Sequence, residues 1–502
     1  MADRSYVYEP VSIEAPVKTQ AHSMEQGQLW RQYIIAGVAN IGIMATGFAL
    51  GWTSPVNLKL LHPDDTPLSR PVTNDEISWI GSLISIGAMF GPFIGGFLAS
   101  KVGRRWGILL SSVPLIVGFI LMIAVQNVGM IYAGRVFWGL AVGILYTVSP
   151  MYCAEIATDD KRGALGSFLQ LFVVFGLLLV YGVGPFVSYF ALQYVGIAVV
   201  AVFCVLFFFM PETPMYYLNK DDIDSAAKSL QFIRGKSRAG VQAELDKMAA
   251  EVTTANEKTA NLSDVFRGAN FKAFYIVCIL VAVQQFSGIN VVLFYMATIF
   301  EAAGASLDSA IATIIIGAVQ VGASAITPLV VDRLGRRMLL LISCTGTTVG
   351  LGLLGVYFIL DTNGSPVVDN MRFLPILALV LFIVTYCVGL GPLPWAIMGE
   401  LLPIEVKALA SPIATAFCWM VSFLVTRYFN PIADAVGMGV AFLIFGVCCI
   451  IAFFFTFFVV PETKGKSFQE IQEMLAGKPG ARGLWVLTIC KVLGADRGPK
   501  EF

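Results

Sequence analysis

Twelve separate stretches of this chain are apolar for the length of a membrane crossing, and nothing else in the sequence restricts the fold so sharply. A bilayer core takes about 20 helical residues per crossing. Within it, every backbone N–H and C=O must be satisfied by the segment itself. The stretches fall at 32–55, 77–99, 107–125, 129–152, 164–186, 190–210, 273–300, 309–331, 338–360, 373–399, 408–428 and 436–460. Charged residues make up 13% of the 502 positions, about half the ~25% of a soluble domain. The expected fold class is therefore all-α, a polytopic membrane protein of twelve transmembrane helices. The first 31 residues are polar and carry no charged, apolar and cleavage-site series, so the first span is expected to act as signal anchor.

Orientation follows from where Lys and Arg fall. With the N-terminus inside, 28 of the 33 basic residues lie in inside segments; four, Lys59, Arg70, Arg372 and Arg427, lie in outside loops, and Arg135 lies within a span. Both termini are thus expected in the cytoplasm, in a multi-pass protein of the plasma membrane. The 33 basic and 33 acidic residues cancel, which gives no basis for a nucleic-acid partner. Of nine cysteines only Cys490 sits in a polar region, and no pair falls in an outside loop, so no structural disulfide is expected. His22 and His62 are the two histidines. Neither has a ligand cluster beside it, and no metal site is expected.

The chain divides into a tail (1–31), six spans (32–210), an amphipathic linker read as short cytoplasmic helices (211–272), six more spans (273–460) and a second tail (461–502). The halves repeat. "GRR" stands at 103–105 after span two and at 335–337 after span eight; Glu155 and Arg162 follow span four, as Glu400 and Lys407 follow span ten; "PET" closes span six at 211–213 and span twelve at 461–463. Three features in one order on one face imply a duplicated six-span unit. An even number of spans makes the two copies parallel, related by an axis along the membrane normal, with a cavity between them.

The repeated charges suggest a cytoplasmic latch. Arg104, Arg105, Arg336 and Arg337 would meet Glu155, Glu400, Asp332 and the carbonyl ends of nearby helices, with Arg162 and Lys407 taking part. Such a latch would close the inside when the cavity faces out and break when it faces in. Arg135, at membrane depth, needs a partner or a wet cleft.

"QQFSGIN", residues 284–290, puts three neutral amides into an apolar run. Amides donate and accept hydrogen bonds without charge, which suits a ligand made of hydroxyls. Buried without a partner, each is costly. On a regular helix Gln285 and Asn290 would point about 140° apart. They converge only if the helix unwinds at Ser287–Gly288, and broken helices belong where backbone lines a cavity. The alternative is that the amides join helices.

"GRVFWGLAVG", "PMYCAEIATDDKRGALGS", "PETP", "QQFSGINVVLFY", "VDRLGRR", "GPLPWAIMGELLP" and "PETKGKSFQEI" occur in this order. Together they resemble the sugar porter family of the major facilitator superfamily over about residues 40–475. Within it, "GFALGWTSP" and "WAIMGELLP" look most like the insect facilitated trehalose transporters and their relatives. The resemblance implies the major facilitator fold and a sugar site of Gln170, Gln284, Gln285, Asn290, Gln320, Trp395 and Trp419. It implies an outer gate at Phe294 and Tyr295, and a bend in span ten at Pro392 and Pro394, which we group with that gate.

The sequence also departs from the family. Ser100 replaces an acid before the first GRR, Met215 an arginine after "PET", Cys418 the asparagine before Trp419, and Cys387 a residue often polar.

No Asp, Glu or His lies at membrane depth. Span one reads "GWTSPV" where proton-coupled members carry an aspartate. The expected function is gradient-driven uniport of a neutral sugar, trehalose or a hexose such as glucose. A proton-coupled symporter and a non-transporting sugar sensor are the alternatives. No phosphate-binding loop for ATP hydrolysis occurs. We expect no enzyme activity, no cofactor, and no partner beyond the sugar and membrane lipid. Asn363, in an outside Asn-Gly-Ser, is the expected glycosylation site. The apolar 483–494 segment is too short to span and is expected on the membrane surface.

Overall fold

The computed structural model describes residues 27–476 apart from 159, 258–260 and 467. Both histidine- and cysteine-bearing tail positions, His22 and Cys490, and the 483–494 segment lie outside the described residues. No strand occurs among the described residues. Twelve helices are long and apolar enough to cross a membrane: Leu29–Leu61, Asn74–Lys101, Arg104–Ile123, Val128–Ile156, Arg162–Phe186, Tyr189–Phe207, Gly268–Ala302, Ser309–Val331, Arg336–Thr362, Leu374–Leu401, Glu405–Val436 and Met438–Phe458. We number them spans one to twelve. Short helices Pro214–Leu218, Ile223–Arg234, Arg238–Glu257 and Leu262–Val265 join the halves, and Phe468–Ala476 follows span twelve.

The duplication is visible in the packing. In the first half, span one packs on five, two on four, and three on six. The second half repeats this six spans later: seven on eleven, eight on ten, nine on twelve. The seam between the bundles obeys the same symmetry. Span two meets eleven and span five meets eight, pairs that exchange when each number moves by six. Such a seam has a two-fold axis along the helices, as parallel repeats require.

We call the face carrying the two GRR loops the basic face. There each bundle is stapled by the same set of bonds. Gly103 and Gly335 take φ of +108° and +88°, a conformation that side chains resist. A Cβ on either would also lie within 3 Å of a carboxylate oxygen, Glu212 Oε2 at 2.2 Å and Glu462 Oε2 at 2.8 Å. Span three begins at Arg104 and span nine at Arg336, so their first amides lack helical partners. Glu212 accepts from the Arg104 and Arg105 amides at 3.0 Å each. Glu462 accepts from Arg336 and Arg337 at 3.0 and 3.1 Å. A carboxylate at a helix start also complements the dipole. Burial pushes the Glu212 carboxyl up, and the Thr213, Arg105 and Arg104 amides draw it back.

The arginine side chains then tie in the other helices. Arg104 pairs with Glu155 at 2.9 Å and Arg336 with Glu400 at 3.1 Å. Arg105 donates to the Phe208 carbonyl and Arg337 to that of Phe457. Lys407 donates to the Gly399 carbonyl at 2.8 Å. Arg162 opens span five, and the Asp332 side chain lies outside the described residues.

Arg104–Glu155 lies within the first bundle and Arg336–Glu400 within the second, so each pair braces its own half. The sequence reading missed Glu212 and Glu462, although "PET" recurred in register with "GRR".

The face opposite the GRR loops is where the bundles close on each other. Arg427 of span eleven meets Asp75 of span two at 2.6 Å, and Asn430 donates to Ser78 at 2.9 Å. Tyr181 of span five donates to the Leu293 carbonyl of span seven at 2.9 Å. Asn363 caps span nine on this face and is exposed.

Candidate functional site

Span seven is two helices. The first ends at Phe286 and the second begins at Ile289. Between them Gly288 sits at φ +78°, and a Cβ there would lie 2.5 Å from the Phe445 ring. Only glycine meets both demands. The break swings Asn290 back beside Gln285, whose Oε1 accepts from Asn290 Nδ2 at 2.7 Å.

Span ten breaks at the same level. Pro394 has no N–H, so the carbonyl of Leu390, four residues earlier, loses its helical partner. Gln284 Nε2 supplies the replacement, donating to Leu390 O at 2.9 Å and to Gly391 O at 2.7 Å. The Leu390 amide in turn donates to Ser343 Oγ at 2.9 Å. Pro392 and Pro394 thus stand at this bend, close to the start of the helix Leu393–Leu401 that leads to the basic face. They shape the bend between the helices Leu374–Val388 and Leu393–Leu401, and no described bond joins them to Phe294 or Tyr295.

The amide cluster is completed from span eleven. Gln285 Nε2 donates to Cys418 Sγ at 3.2 Å, and Asn290 Nδ2 also donates to Ser422 Oγ at 2.8 Å. Gln284, Gln285 and Asn290 are all buried, at 3%, 6% and 9% exposure; Gln284 donates to the two span ten carbonyls, whereas the side-chain bonds of Gln285 and Asn290 run to each other and to two small side chains. Ser422 was missed in the sequence; Cys418 stood out only as a departure from the family.

Other buried polar atoms of the second bundle have no bonding partner. Gln320 Oε1, Ser324 Oγ and the Trp419 Nε1–H are buried and unpaired. Trp419 packs edge-on against Tyr146 of the other bundle, ring centres 6.1 Å apart. Gln170 and Trp395 are half-buried. No described bond joins Gln170, Gln320 or Trp395 to the amides.

Phe294 and Tyr295 lie one turn beyond Asn290, on the sealed side. Both are buried. Tyr295 stacks on Phe429 at 5.9 Å, and its hydroxyl lies against Gly81 of span two. Phe294 lies under the Arg135 guanidinium, 5.8 Å from ring centre to Cζ. Arg135 is fully buried. It donates to the carbonyls of Ile80 at 2.8 Å, Ala49 at 2.5 Å and Gly81 at 3.4 Å, and also lies over Trp52. Carbonyl dipoles and ring faces stand in for the missing carboxylate.

Every Asp and Glu in the twelve spans lies within three residues of a helix end: Asp75, Glu76, Glu155, Glu301, Asp361, Glu400, Glu405 and Asp434. Two parallel six-helix bundles, sealed at one face over a buried cluster of neutral amides, define a membrane carrier of the major facilitator type. The family described as "Sugar (and other) transporter" matches residues 13–475, and the chain belongs to it.

The facilitated trehalose transporter Tret1 of Bombyx mori is 36% identical over 448 residues, 89% of this chain and 87% of that protein. The Polypedilum vanderplanki Tret1 is 35% identical over 452 residues, 90% of this chain and 89% of that protein. The chain spans only 56% of the Anopheles gambiae Tret1, at 35% identity. Among solved structures, the proton:xylose symporter XylE bound to 6-bromo-6-deoxy-D-glucose superposes with a TM-score of 0.72 at 24% identity, over 89% of this chain and 99% of that one.

Proposed function

We propose that this protein carries a neutral sugar down its gradient by alternating access, with trehalose the first candidate substrate and a hexose such as glucose the second. In this reading the basic face is cytoplasmic, with both termini inside, and the protein resides in the plasma membrane. The observation that carries the reading is the amide cluster. Gln285 and Asn290 face each other across a broken helix, and Asn290 Oδ1 accepts from no described group. Such groups both donate to and accept from hydroxyls, and they carry no charge of their own. The names of the Tret1 relatives put trehalose first.

Uniport rests on the placement of acids. A proton-coupled carrier needs a titrating group at membrane depth, and the spans hold their carboxylates only at helix ends. Arg135 does not fill that place, because three carbonyls and two rings already hold its guanidinium. Gln320, Trp395, Trp419 and Gln170 extend the proposed site, Phe294 and Tyr295 its outer gate. Asn363, exposed on the proposed outside face, is the proposed glycosylation site.

The test is uptake into proteoliposomes of a panel of labelled sugars and polyols. Trehalose uptake that saturates and is inhibited by unlabelled trehalose, with glucose weaker, is the expected result. Uptake of neither sugar, at a reconstitution efficiency that preserves folded protein, would overturn the reading.

A further inference from the structure

Both N–H groups of the Asn290 amide are engaged: one donates to Gln285 Oε1 at 2.7 Å, the other to Ser422 Oγ at 2.8 Å. Ser422 Oγ also lies 3.0 Å from Ser85 Oγ of span two, in the other bundle. Both serines are fully buried. Their hydroxyls are shut off from solvent, and breaking either bond leaves a polar atom unsatisfied in a low-dielectric site. An unbroken hydrogen-bonded line therefore runs from Gln285 through Asn290 and Ser422 to Ser85. Farther along the same two helices come the Asn430–Ser78 bond and the Arg427–Asp75 ion pair. The line from the amides joins the seam at its inner end.

We propose that Ser422 is a positioning residue for the sugar site, which holds the Asn290 amide with its Oδ1 free for the substrate and ties that orientation to the shut seam through Ser85. The inference rests on the reading of Gln285 and Asn290 as substrate-binding amides. A sugar hydroxyl that takes the Asn290 hydrogen leaves Ser422 bonded to Ser85 alone. Opening of the seam leaves it bonded to Asn290 alone. Binding and opening thus share one hydroxyl, the kind of common element that couples two events when both bias it.

The experiment uses the full chain in proteoliposomes, with Ser422→Ala, Ser422→Thr, Ser85→Ala and the double alanine variant. Two readouts are taken: KM and Vmax for labelled trehalose, and hydrogen–deuterium exchange of residues 74–85 and 422–436 without sugar. Ser422→Ala is expected to raise KM about 5- to 10-fold, the loss of one buried hydrogen bond, with Ser422→Thr within about 2-fold of the native protein. Ser85→Ala is expected to leave KM within about 2-fold and to speed exchange in both segments. The double variant should exchange no faster than Ser85→Ala, because both substitutions break the same bond.

A native KM in Ser422→Ala, or exchange effects that add in the double variant, overturns the proposal. If the native protein moves no trehalose, the reading of function falls. The exchange data then decide the link between Ser422 and Ser85 by themselves.

Discussion

Gln284 and Gln285 are neighbours in sequence with different work. The donors of Gln284 are spent on two carbonyls that the span ten bend exposes, so it is a brace. Gln284→Ala would leave the Leu390 carbonyl buried and unpaired, a cost of about 1–3 kcal/mol, and should lower the melting temperature and folded yield. Gln285→Ala removes the group facing Asn290. Uptake should fall at least about 10-fold, as for one lost buried hydrogen bond, while surface amount holds. A Gln285→Ala protein with native kinetics would make that amide structural as well. The sequence placed three amides in an apolar run and a hinge at Ser287–Gly288, because backbone chemistry is local. It did not separate the two glutamines, since the deciding group is a missing N–H at Pro394, far along the chain. Ser422 and Ser85 were not legible at all. Serines are common in these helices, and their importance depends on which face a distant helix turns toward them.

At the scale of elements, the helix starts at Arg104 and Arg336 are held by Glu212 and Glu462. Removal of either carboxylate strips three amides of their acceptor: Arg104, Arg105 and Thr213 for Glu212, and Arg336, Arg337 and Lys464 for Glu462. Glu212→Ala and Glu462→Ala should each destabilise by about 2–3 kcal/mol. The two effects should add in the double variant, because the sites lie in separate bundles. Thermal unfolding in detergent checks this, and strong non-additivity would mean that the two staples act as one. The repeated "GRR" and "PET" were legible as a duplication. Their mutual contact was not, because the carboxylate takes backbone amides rather than the arginine side chains that draw the eye.

For the whole molecule, charge distribution and span count foreshadowed two parallel bundles, whereas the pairs that seal them depend on the register of spans two and eleven. Arg427–Asp75 is one such pair, with the Asp75 side chain 64% exposed. An exposed pair contributes about 0–1 kcal/mol, so Asp75→Asn should change the maximal rate of net transport by no more than about 5-fold. A complete loss of transport in that variant would point to a larger role at the seal.

The account turns on neutral side chains serving the sugar with no acid at membrane depth. The direct measurement is the steady-state ratio of internal to external labelled trehalose in proteoliposomes under an imposed proton gradient. The account predicts a ratio of about one, unchanged by a protonophore, as carriage without coupling requires. Accumulation above the external concentration that a protonophore collapses would contradict it.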